Sequence, residues 1–233
     1  MKIFITGSSG FIGTELANHL SSKHKIVKYG HPRHDIFDYD HLKEAMKGCD
    51  VVVHLAAIRK PLEDKTFSDY FKVNCIGTLN VAQAALENRI KKFIFLSSMS
   101  YYGIEKGITI KPPIKEGSPI LTQHAKAGNL TETRDCDIAY STSKVIGEQI
   151  LANYGLTKKF QVIILRFGPT RKSGEYRPFG GLKLHLKIEN ALRSLEAAIT
   201  TEKKIWYDAF TITDKLDKVD ILKAKKILGY NPI

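Results

Sequence analysis

The chain has 233 residues, of which 43% are apolar and 26% charged, a balance typical of globular proteins with one or two domains. This composition excludes collagen-like, coiled-coil and disordered chains, and no run of residues approaches the roughly 18 apolar residues of a membrane span. The start of the chain does not resemble a signal peptide, and three widely spaced cysteines, Cys49, Cys75 and Cys136, predict a reducing, cytoplasmic location without disulfides or a zinc cluster.

The formal net charge is +12, and the basic residues are spread along the whole chain. Two interpretations stay open: a solvated lysine-rich surface, or a surface for an anionic partner. Because no recognition helix or RNA-binding motif is present, we predict no nucleic-acid partner and no membrane partner. The eight histidines show no HxxxH or HExxH spacing, so no metal site is predicted.

Short apolar runs alternate with helical patterns over most of the chain. Near-continuous Val, Ile and Phe runs are typical of strands covered on both faces, so the alternation predicts a doubly wound parallel α/β sheet with helices on both faces. The predicted strands are residues 2–6, 25–29, 50–56, 92–97 and 161–167. The predicted helices are residues 11–21, 39–47, one or two within 63–88, and 138–154.

The second half of the chain is less regular. Residues 104–137 are rich in Pro and Gly and predict a long loop, which is often a functional element. After Phe167 the patterns predict a strand over 182–188, a helix over 188–199, a strand over 204–212 and a short helix over 223–230.

A glycine-rich loop directly follows the first predicted strand and opens the first predicted helix. Glycines allow a tight turn and a close backbone approach, and a helix N-terminus offers unpaired N–H groups to a pyrophosphate. This context predicts a Rossmann-type dinucleotide-binding loop; the alternative is a plain tight turn. The candidate cofactor-binding residues are Gly7, Ser9, Gly10, Phe11, Ile12 and Gly13.

The end of the second predicted strand bears on the choice between NAD and NADP. An acidic residue there binds the ribose of NAD, whereas an arginine suits the 2′-phosphate of NADP. No acid precedes Asp35, so we favour NADP over NAD, bound through Arg33 with His31 as a second candidate. Asp35 and Ile36 are expected to border the adenine. The alternative is that Arg33 is a surface loop residue.

Tyr140 and Lys144 lie four residues apart in a predicted helix and therefore share one face. A free tyrosine has a pKa near 10, and an adjacent ammonium favours the phenolate, which makes Tyr140 a candidate general acid/base. The spacing alone also fits a solvated helix face. Ser98, just past an apolar strand, is the candidate that orients the reacting oxygen, with Ser97 as the competing choice and turn capping as the alternative role.

Together these motifs resemble the extended short-chain dehydrogenase/reductases, the NAD-dependent epimerase/dehydratase family. The matching segments are GSSGFIG (7–13), VVVHLAA (51–57), VNCIGTLNV (73–81), FLSSMSYYG (95–103), YSTSK (140–144) and LRFG (165–168). The resemblance implies catalytic roles for Ser98, Tyr140 and Lys144, with Lys144 also on the nicotinamide ribose. It further implies cofactor contacts from Leu55, Ala56, Ala57, Arg59, Asn74 and Phe167, and a homodimer formed through the helices within 63–88 and 138–154.

The C-terminal part departs from the family pattern, because the stretch that usually completes a nucleotide-sugar pocket is shortened. We therefore expect an NAD(P)-binding domain over 1–168 and a short substrate lobe over 169–233. The predicted function is an NAD(P)-dependent oxidoreductase acting on a small sugar-like hydroxyl or carbonyl compound. Two alternatives stay open: an epimerase or dehydratase that retains its cofactor, and a non-catalytic NAD(P)-binding regulator. Arg171, Lys172 and Arg177 are candidates to pair with an acidic substrate.

Overall fold

A computed structural model describes residues 1–59, 62, 64–103, 110–120, 123, 135–172, 177–179, 182–214 and 218–233. The side chains of residues 135, 136, 177–179, 182 and 183 lie outside the description. Most of the predicted loop over 104–137 therefore lies outside the described residues. Its last residues, from Asp135, are helical instead.

A parallel sheet of six strands forms the centre of the described structure. Its strands are β1 (Lys2–Thr6), β2 (Lys25–Tyr29), β3 (Val51–His54), β4 (Lys92–Ser98), β5 (Gln161–Phe167) and β10 (Tyr207–Ile212), and they lie in the order β10-β5-β4-β3-β1-β2. The chain crosses from β2 past β1 to β3, so the strand order reverses between β1 and β3, as expected for a doubly wound Rossmann-type sheet. The short strands β6 (Thr170–Arg171), β7 (Arg177–Phe179), β8 (Leu182–Leu184) and β9 (Leu186–Lys187) form two small sheets.

Helices cover both faces of the sheet. They are α1 (Phe11–Leu20), α2 (Tyr39–Ala45), α3 (Phe67–Tyr70), α4 (Gly77–Glu87), α5 (Asp135–Leu156), α6 (Ile188–Thr200) and α7 (Leu222–Leu228). A π-helical turn, Phe71–Ile76, joins α3 to α4, and a 3₁₀ turn, Met99–Tyr102, follows β4. One apolar core lies between the sheet and α1, α6 and α7, and a second lies between the sheet and α2, α4 and α5. The α/β fold class is confirmed.

The segment after Gly168 returns to the central sheet. β10 pairs in parallel with β5, from Tyr207 beside Val162 to Ile212 beside Phe167, and α6 packs under the same sheet. The predicted strand over 182–188 is divided: β8 and β9 join different partners, and Ile188 already begins α6. The division into 1–168 and 169–233 stays a prediction about where the substrate binds, since both parts share one core.

The described residues show neither a membrane-spanning helix nor a cluster of metal ligands. No helix among them combines the length and the apolar character that crossing a lipid bilayer requires. Within the same residues, no three or more His, Cys, Asp or Glu side chains are grouped so that they could hold a metal ion.

Candidate active site

The glycine loop connects β1 to α1 at the carboxyl edge of the sheet. Gly7 has φ +65°, and a Cβ there would lie 2.7 Å from the Ala56 nitrogen, so glycine is required on both counts. A Cβ on Gly13 would lie 2.2 Å from the Gly7 oxygen. Gly10 precedes Phe11 at the start of α1 and supplies no side-chain cap. The first-turn N–H groups and the helix dipole are therefore available to an anion, as a pyrophosphate requires.

The glycine loop packs directly against the chain that follows β2. Ser9 Oγ donates to the His31 oxygen at 2.6 Å, and a Cβ on Gly30 would lie only 2.7 Å from Ser9 Oγ. Between them is a cavity of about 340 Å³. It is lined by Ser8, Ser9, Lys28, Gly30, His31, Pro32, Arg33 and His34. As far as the described residues go, the lining thus carries basic side chains and no carboxylate.

The two residues predicted to border the adenine do not line this cavity. Asp35 is exposed, and its carboxylate accepts a hydrogen bond from the Phe37 N–H at 2.9 Å. Ile36 is buried against Gly77 at the start of α4. Both residues therefore stabilise the chain beside the cavity, and their contact with adenine stays a prediction.

A buried histidine links the end of β3 to α4. His54 Nδ1 lies 2.6 Å from Thr6 Oγ1, and Nε2 lies 2.9 Å from Thr78 Oγ1. The Thr78 hydroxyl donates its proton to the backbone carbonyl oxygen of Asn74 at 2.7 Å, so towards His54 it can only accept. His54 Nε2 therefore carries the proton and donates to Thr78, and Nδ1 accepts a hydrogen bond from the Thr6 hydroxyl. Burial, with a smaller effect of the Lys144 charge, lowers the pKa of His54 to about 3. His54 is thus a neutral structural residue.

Thr6, which also binds His54, fixes the start of the Leu55–Ala57 segment beside the glycine loop. The N–H groups of Leu55 and Ala56 both approach Thr6 Oγ1 at 3.2 Å. Leu55, Ala56 and Ala57 remain half-buried, and Arg59 is exposed. This placement is compatible with the cofactor contacts that were predicted for these residues.

Asn74 lies in the π-helical turn and ties three parts of the site together. Its Oδ1 accepts from the Ile58 N–H at 2.8 Å, and its Nδ2 donates to the Ile58 oxygen at 3.2 Å and to Ser143 Oγ at 2.9 Å. Ser143 Oγ in turn donates to the backbone carbonyl oxygen of Tyr140 at 2.7 Å. Asn74 therefore fixes the chain after β3 against the helix that carries Tyr140. π-Helical turns are frequent at functional sites for such reasons.

Tyr140 and Lys144 lie one turn apart on α5, as predicted. Lys144 Nζ donates to the Leu96 oxygen at 2.9 Å and lies 5.8 Å from the centre of the Tyr140 ring and 5.2 Å from that of Phe95. The Tyr140 ring packs edge-on against Tyr70 at 6.4 Å. Burial lowers the pKa of Lys144 to about 8, and Glu148 opposes part of this shift. The ammonium is therefore charged at neutral pH and lies beside the phenol ring.

The two candidate serines at the end of β4 have different environments. Ser97 is buried and donates to Glu148 Oε1 at 2.6 Å. Ser98 Oγ accepts from the Ser100 N–H and donates to Ser100 Oγ, both at 3.1 Å, so it caps the 3₁₀ turn. Ser98 is the half-buried residue of the two and pairs in register with Phe167 of β5. Ser97 is therefore a buried hydroxyl that is engaged with Glu148, and the predicted catalytic role of Ser98 stays a prediction.

Two charged residues of this region were not singled out from the sequence. Arg166 and Glu148 form a buried ion pair, with Nη2 to Oε2 at 2.7 Å and Nε to Oε1 at 3.0 Å. Arg166 Nη1 also donates to the Tyr102 hydroxyl and to the backbone carbonyl oxygen of Glu116, each at 3.0 Å. Glu148 follows Lys144 by four residues and therefore shares its helix face, and this spacing is the sequence signal from which Glu148 could have been predicted.

The three cations proposed for an acidic substrate differ in their surroundings. Lys172 pairs with Glu15 of α1 at 2.9 Å and lies 5.7 Å from the centre of the Phe11 ring. In the described part of the chain, Arg171 Nε is a buried donor without a hydrogen-bond partner. The side chain of Arg177 lies outside the described residues. Arg171 is therefore the strongest candidate of the three.

Comparisons with known proteins agree with this geometry. The sequence profile of the "NAD dependent epimerase/dehydratase family" matches residues 3–217. The chain belongs to this family. An L-arabinose 1-dehydrogenase (NAD(P)(+)) from Haloferax volcanii is 30% identical over 184 residues, which cover 76% of this chain and 70% of the relative. A UDP-glucose 4-epimerase from Vibrio cholerae is 29% identical over 74% of this chain, which spans only 54% of that relative.

The fold is similar to that of solved structures. The crystal structure of a UDP-glucuronic acid 4-epimerase from Bacillus cereus with NAD superposes with a TM-score of 0.77 at 22% identity, covering 100% of this chain and 94% of that one. This likeness confirms the predicted Rossmann-type fold, and the profile match over residues 3–217 confirms the predicted family. The prediction of an NAD-dependent enzyme of sugar metabolism is confirmed at the level of the family, whose members include both dehydrogenases and epimerases.

Proposed function

We propose that the protein is an NAD(P)-dependent oxidoreductase acting on a sugar-like hydroxyl or carbonyl group, with Ser98, Tyr140 and Lys144 as its catalytic residues. The observation that supports this proposal most is that the Lys144 ammonium lies 5.8 Å from the centre of the Tyr140 ring. The helix that carries both residues packs against β4 and the π-helical turn, and Lys144 Nζ binds the Leu96 oxygen near the carboxyl end of β4. In open α/β sheets, ligands bind outside these carboxyl ends of the strands.

The residues present fit a nicotinamide dinucleotide. The Gly7–Gly13 loop leaves no room for a Cβ at Gly7 or Gly13 and presents uncapped N–H groups of α1, which would hold the pyrophosphate. The adjoining basic cavity would hold the adenosine ribose. Lys144 would hold the nicotinamide ribose. When bound, the cofactor accepts or donates a hydride at C4 of its nicotinamide ring.

The chain's own residues handle the proton. During oxidation the Tyr140 phenolate takes the proton of the substrate hydroxyl, and during reduction the phenol returns it. Lowering a tyrosine pKa from about 10 to about 7 requires roughly 4 kcal/mol of preferential stabilisation of the phenolate. The Lys144 ammonium, fixed on the Leu96 oxygen, contributes to this stabilisation. Ser98 Oγ can turn from Ser100 to donate a hydrogen bond to the substrate oxygen.

The basic cavity favours NADP over NAD. Lys28, His31, Arg33 and His34 line it, and the nearest acid in the sequence, Asp35, does not. A 2′-phosphate placed there would meet cationic donors, whereas the carboxylate that commonly binds the free 2′-hydroxyl of NAD is absent from this lining. NADP is therefore the proposed cofactor, bound mainly through Arg33.

Arg171 favours a sugar acid as the substrate. Its buried Nε has no hydrogen-bond partner among the described residues, and a buried unpaired donor carries an energetic penalty that a substrate carboxylate would remove. One structural neighbour is an epimerase of UDP-glucuronic acid, which carries such a carboxylate. The alternative reactions, epimerisation or dehydration with a retained cofactor, use the same catalytic residues but return the hydride to the substrate.

A substrate panel tests the proposed function. The purified protein is incubated with NAD⁺ or NADP⁺ and with pentoses, hexoses and the matching uronates, while absorbance at about 340 nm reports the reduced nicotinamide and NMR reports sugar isomers. We expect net reduction of the nicotinamide cofactor, which should be faster with NADP⁺ than with NAD⁺ and faster with uronates than with the neutral sugars. Conversion of the sugar into an isomer without a net increase in the absorbance of reduced nicotinamide would favour the epimerase alternative. Cofactor binding with no conversion of any sugar would contradict the proposal and favour a non-catalytic regulator.

The Arg171→Leu variant tests the substrate class within the same panel. Loss of one charge-assisted hydrogen bond of about 1.5–3 kcal/mol should lower kcat/KM for the preferred uronate roughly tenfold or more. The kcat/KM for the matching neutral sugar serves as the internal control and should change little. Equal losses for both substrates would contradict the assignment of Arg171 to a carboxylate.

A further inference from the structure

A buried carboxylate, that of Glu148, follows the Tyr140–Lys144 pair on α5. Glu148 follows Lys144 by one turn of α5 and therefore shares its helix face. The Glu148 side chain is 0% exposed and Lys144 is 5% exposed, so neither charge is screened by water. Nothing in the proposed mechanism uses Glu148, although a buried carboxylate is costly unless it is paired.

Two neighbours fix the position of the Glu148 carboxylate. Arg166 binds both of its oxygens, at 2.7 and 3.0 Å, and Ser97 donates to Oε1 at 2.6 Å. Arg166 is itself held by the Tyr102 hydroxyl and lies 3.6 Å from the centre of the Tyr101 ring. Burial disfavours the charged guanidinium, but its hydrogen bonds and charge interaction with Glu148 raise the pKa of Arg166 above its ordinary range. The carboxylate is thus rigid.

A role in stability alone does not explain this arrangement. Replacing a buried ion pair by apolar residues of similar size is often neutral or stabilising, so such a pair is weak support for a purely structural role. A fully buried ammonium such as that of Lys144, in contrast, needs a nearby negative charge to remain protonated. Glu148 is the carboxylate that acts on Lys144 in this way.

We propose that Glu148 is a positioning residue that maintains the positive charge of Lys144, with Arg166 and Ser97 holding the carboxylate in place. This inference rests on the proposed function, because it assigns Glu148 to the proton chemistry of Tyr140. It predicts that Glu148 sets the upper pH limit of turnover without touching substrate or cofactor.

The other titratable groups around Lys144 do not supply this charge. On β3, His54 is neutral, and in the π-helical turn burial raises the pKa of the Cys75 thiol to about 11. On β10, the Tyr207 hydroxyl donates to the Glu148 backbone oxygen at 3.4 Å, and burial raises its pKa. After β4, Tyr101 and Tyr102 contact Arg166, and burial raises the pKa of both. The Glu116 carboxylate accepts from the Thr211 N–H at 2.7 Å.

The direction of the pH effect follows from the charges. Lys144 loses its proton above a pKa of about 8, so kcat/KM for oxidation should fall above that pH. Removing the Glu148 charge disfavours the ammonium, which lowers the pKa of Lys144 and moves this alkaline limb to lower pH. In Glu148→Gln we expect a downward displacement of about one pH unit, or about tenfold lower kcat/KM on the alkaline side of the profile.

Two comparison variants separate charge from packing. Glu148→Asp keeps the carboxylate but disturbs the contact with Arg166, and its alkaline limb should stay at the wild-type pH. Glu87→Gln removes the same charge at the far end of α4, where Glu87 pairs with Lys43, and should leave the profile unchanged. The proposal would be overturned if the alkaline limb of the pH profile moved equally in Glu148→Asp and Glu148→Gln, or if it moved in neither variant.

A paired replacement keeps the test valid if Glu148→Gln does not fold. Glu148→Gln with Arg166→Met removes both charges of the ion pair, so neither partner of the pair is left alone and the fold is expected to persist. A lowered alkaline limb in this double variant supports the proposal, and a wild-type limb overturns it. In either case turnover by the wild type, measured first, shows whether the proposed function holds independently of Glu148.

Discussion

Neighbouring residues of one sequence motif can have unrelated roles in this protein. Ser97 and Ser98 are both hydroxyl residues at the end of β4, but alternation along the strand turns Ser97 towards Glu148, whereas Ser98 caps the following 3₁₀ turn. The same motif alone could not separate them, because the partner of Ser97 lies 51 residues away in the chain. The role of Ser98 as the substrate-orienting hydroxyl stays a prediction.

Arg33 provides the sharpest residue-level test of cofactor choice. In Arg33→Ala the 2′-phosphate of NADP loses a charge-assisted hydrogen bond of about 1.5–3 kcal/mol, so its Kd should rise at least about tenfold while the Kd of NAD changes little. Fluorescence titration with NADPH and NADH measures both constants. Arg193→Ala, which removes an exposed arginine of α6, is the matched control. Equal weakening of both cofactors would show that Arg33 does not read the 2′-phosphate.

At the scale of secondary-structure elements, the prediction was most accurate where one local signal decided the outcome. The glycine loop and the start of α1 at Phe11 both follow from backbone requirements that the sequence displays. The π-helical turn at Asn74 and the division of the 182–188 strand were not predicted, because their partners come from distant segments.

The α3–α4 segment presents an apolar face to solvent. Phe67 is 50% exposed, Leu79 is 41% exposed, and Phe71 and Ile76 lie between them, with the Phe67 and Phe71 ring centres 6.1 Å apart. This segment packs beside α5. The face therefore supports the predicted homodimer through these helices, since contiguous exposed apolar groups commonly mark interfaces.

Leu79→Glu tests the homodimer. A buried charge on each side of a symmetric interface should shift the protein from a dimer to a 26.2-kDa monomer in size-exclusion chromatography with light scattering. Leu222→Glu is the matched control, because Leu222 is a 68% exposed leucine of α7 away from this face. A wild-type protein that is already monomeric, or a variant that stays dimeric, would contradict the proposed interface.

At the scale of the whole molecule, the alternation of strands and helices was sufficient to predict the parallel α/β architecture. Five of the six strands of the central sheet were predicted within a few residues in the first part of the chain, and the strand near 204–212 was also recognised. That this strand joins the central sheet was not predicted. Its parallel pairing with β5 depends on a crossover of about 40 residues, which no local pattern encodes.

The candidate site was predictable to the extent that its residues lie in short motifs. Tyr140 and Lys144 required only helical spacing, and the glycine loop required only its position after a strand. Arg166 was missed because it is an isolated charge in an apolar strand, and its importance becomes visible only when β5 packs beside α5. Long-range pairs between elements are the part that sequence periodicity does not contain.

The turnover of Tyr140→Phe, compared with the wild type at equal cofactor saturation, tests the central claim most directly. Removing the phenolic oxygen abolishes proton transfer but leaves the ring and its packing against Tyr70, so kcat should fall at least about 100-fold. The Kd for NADPH, measured on the same samples, should stay within about threefold because the glycine loop is untouched. Near-wild-type turnover by this variant with its cofactor bound would contradict the assignment of Tyr140 as the acid/base.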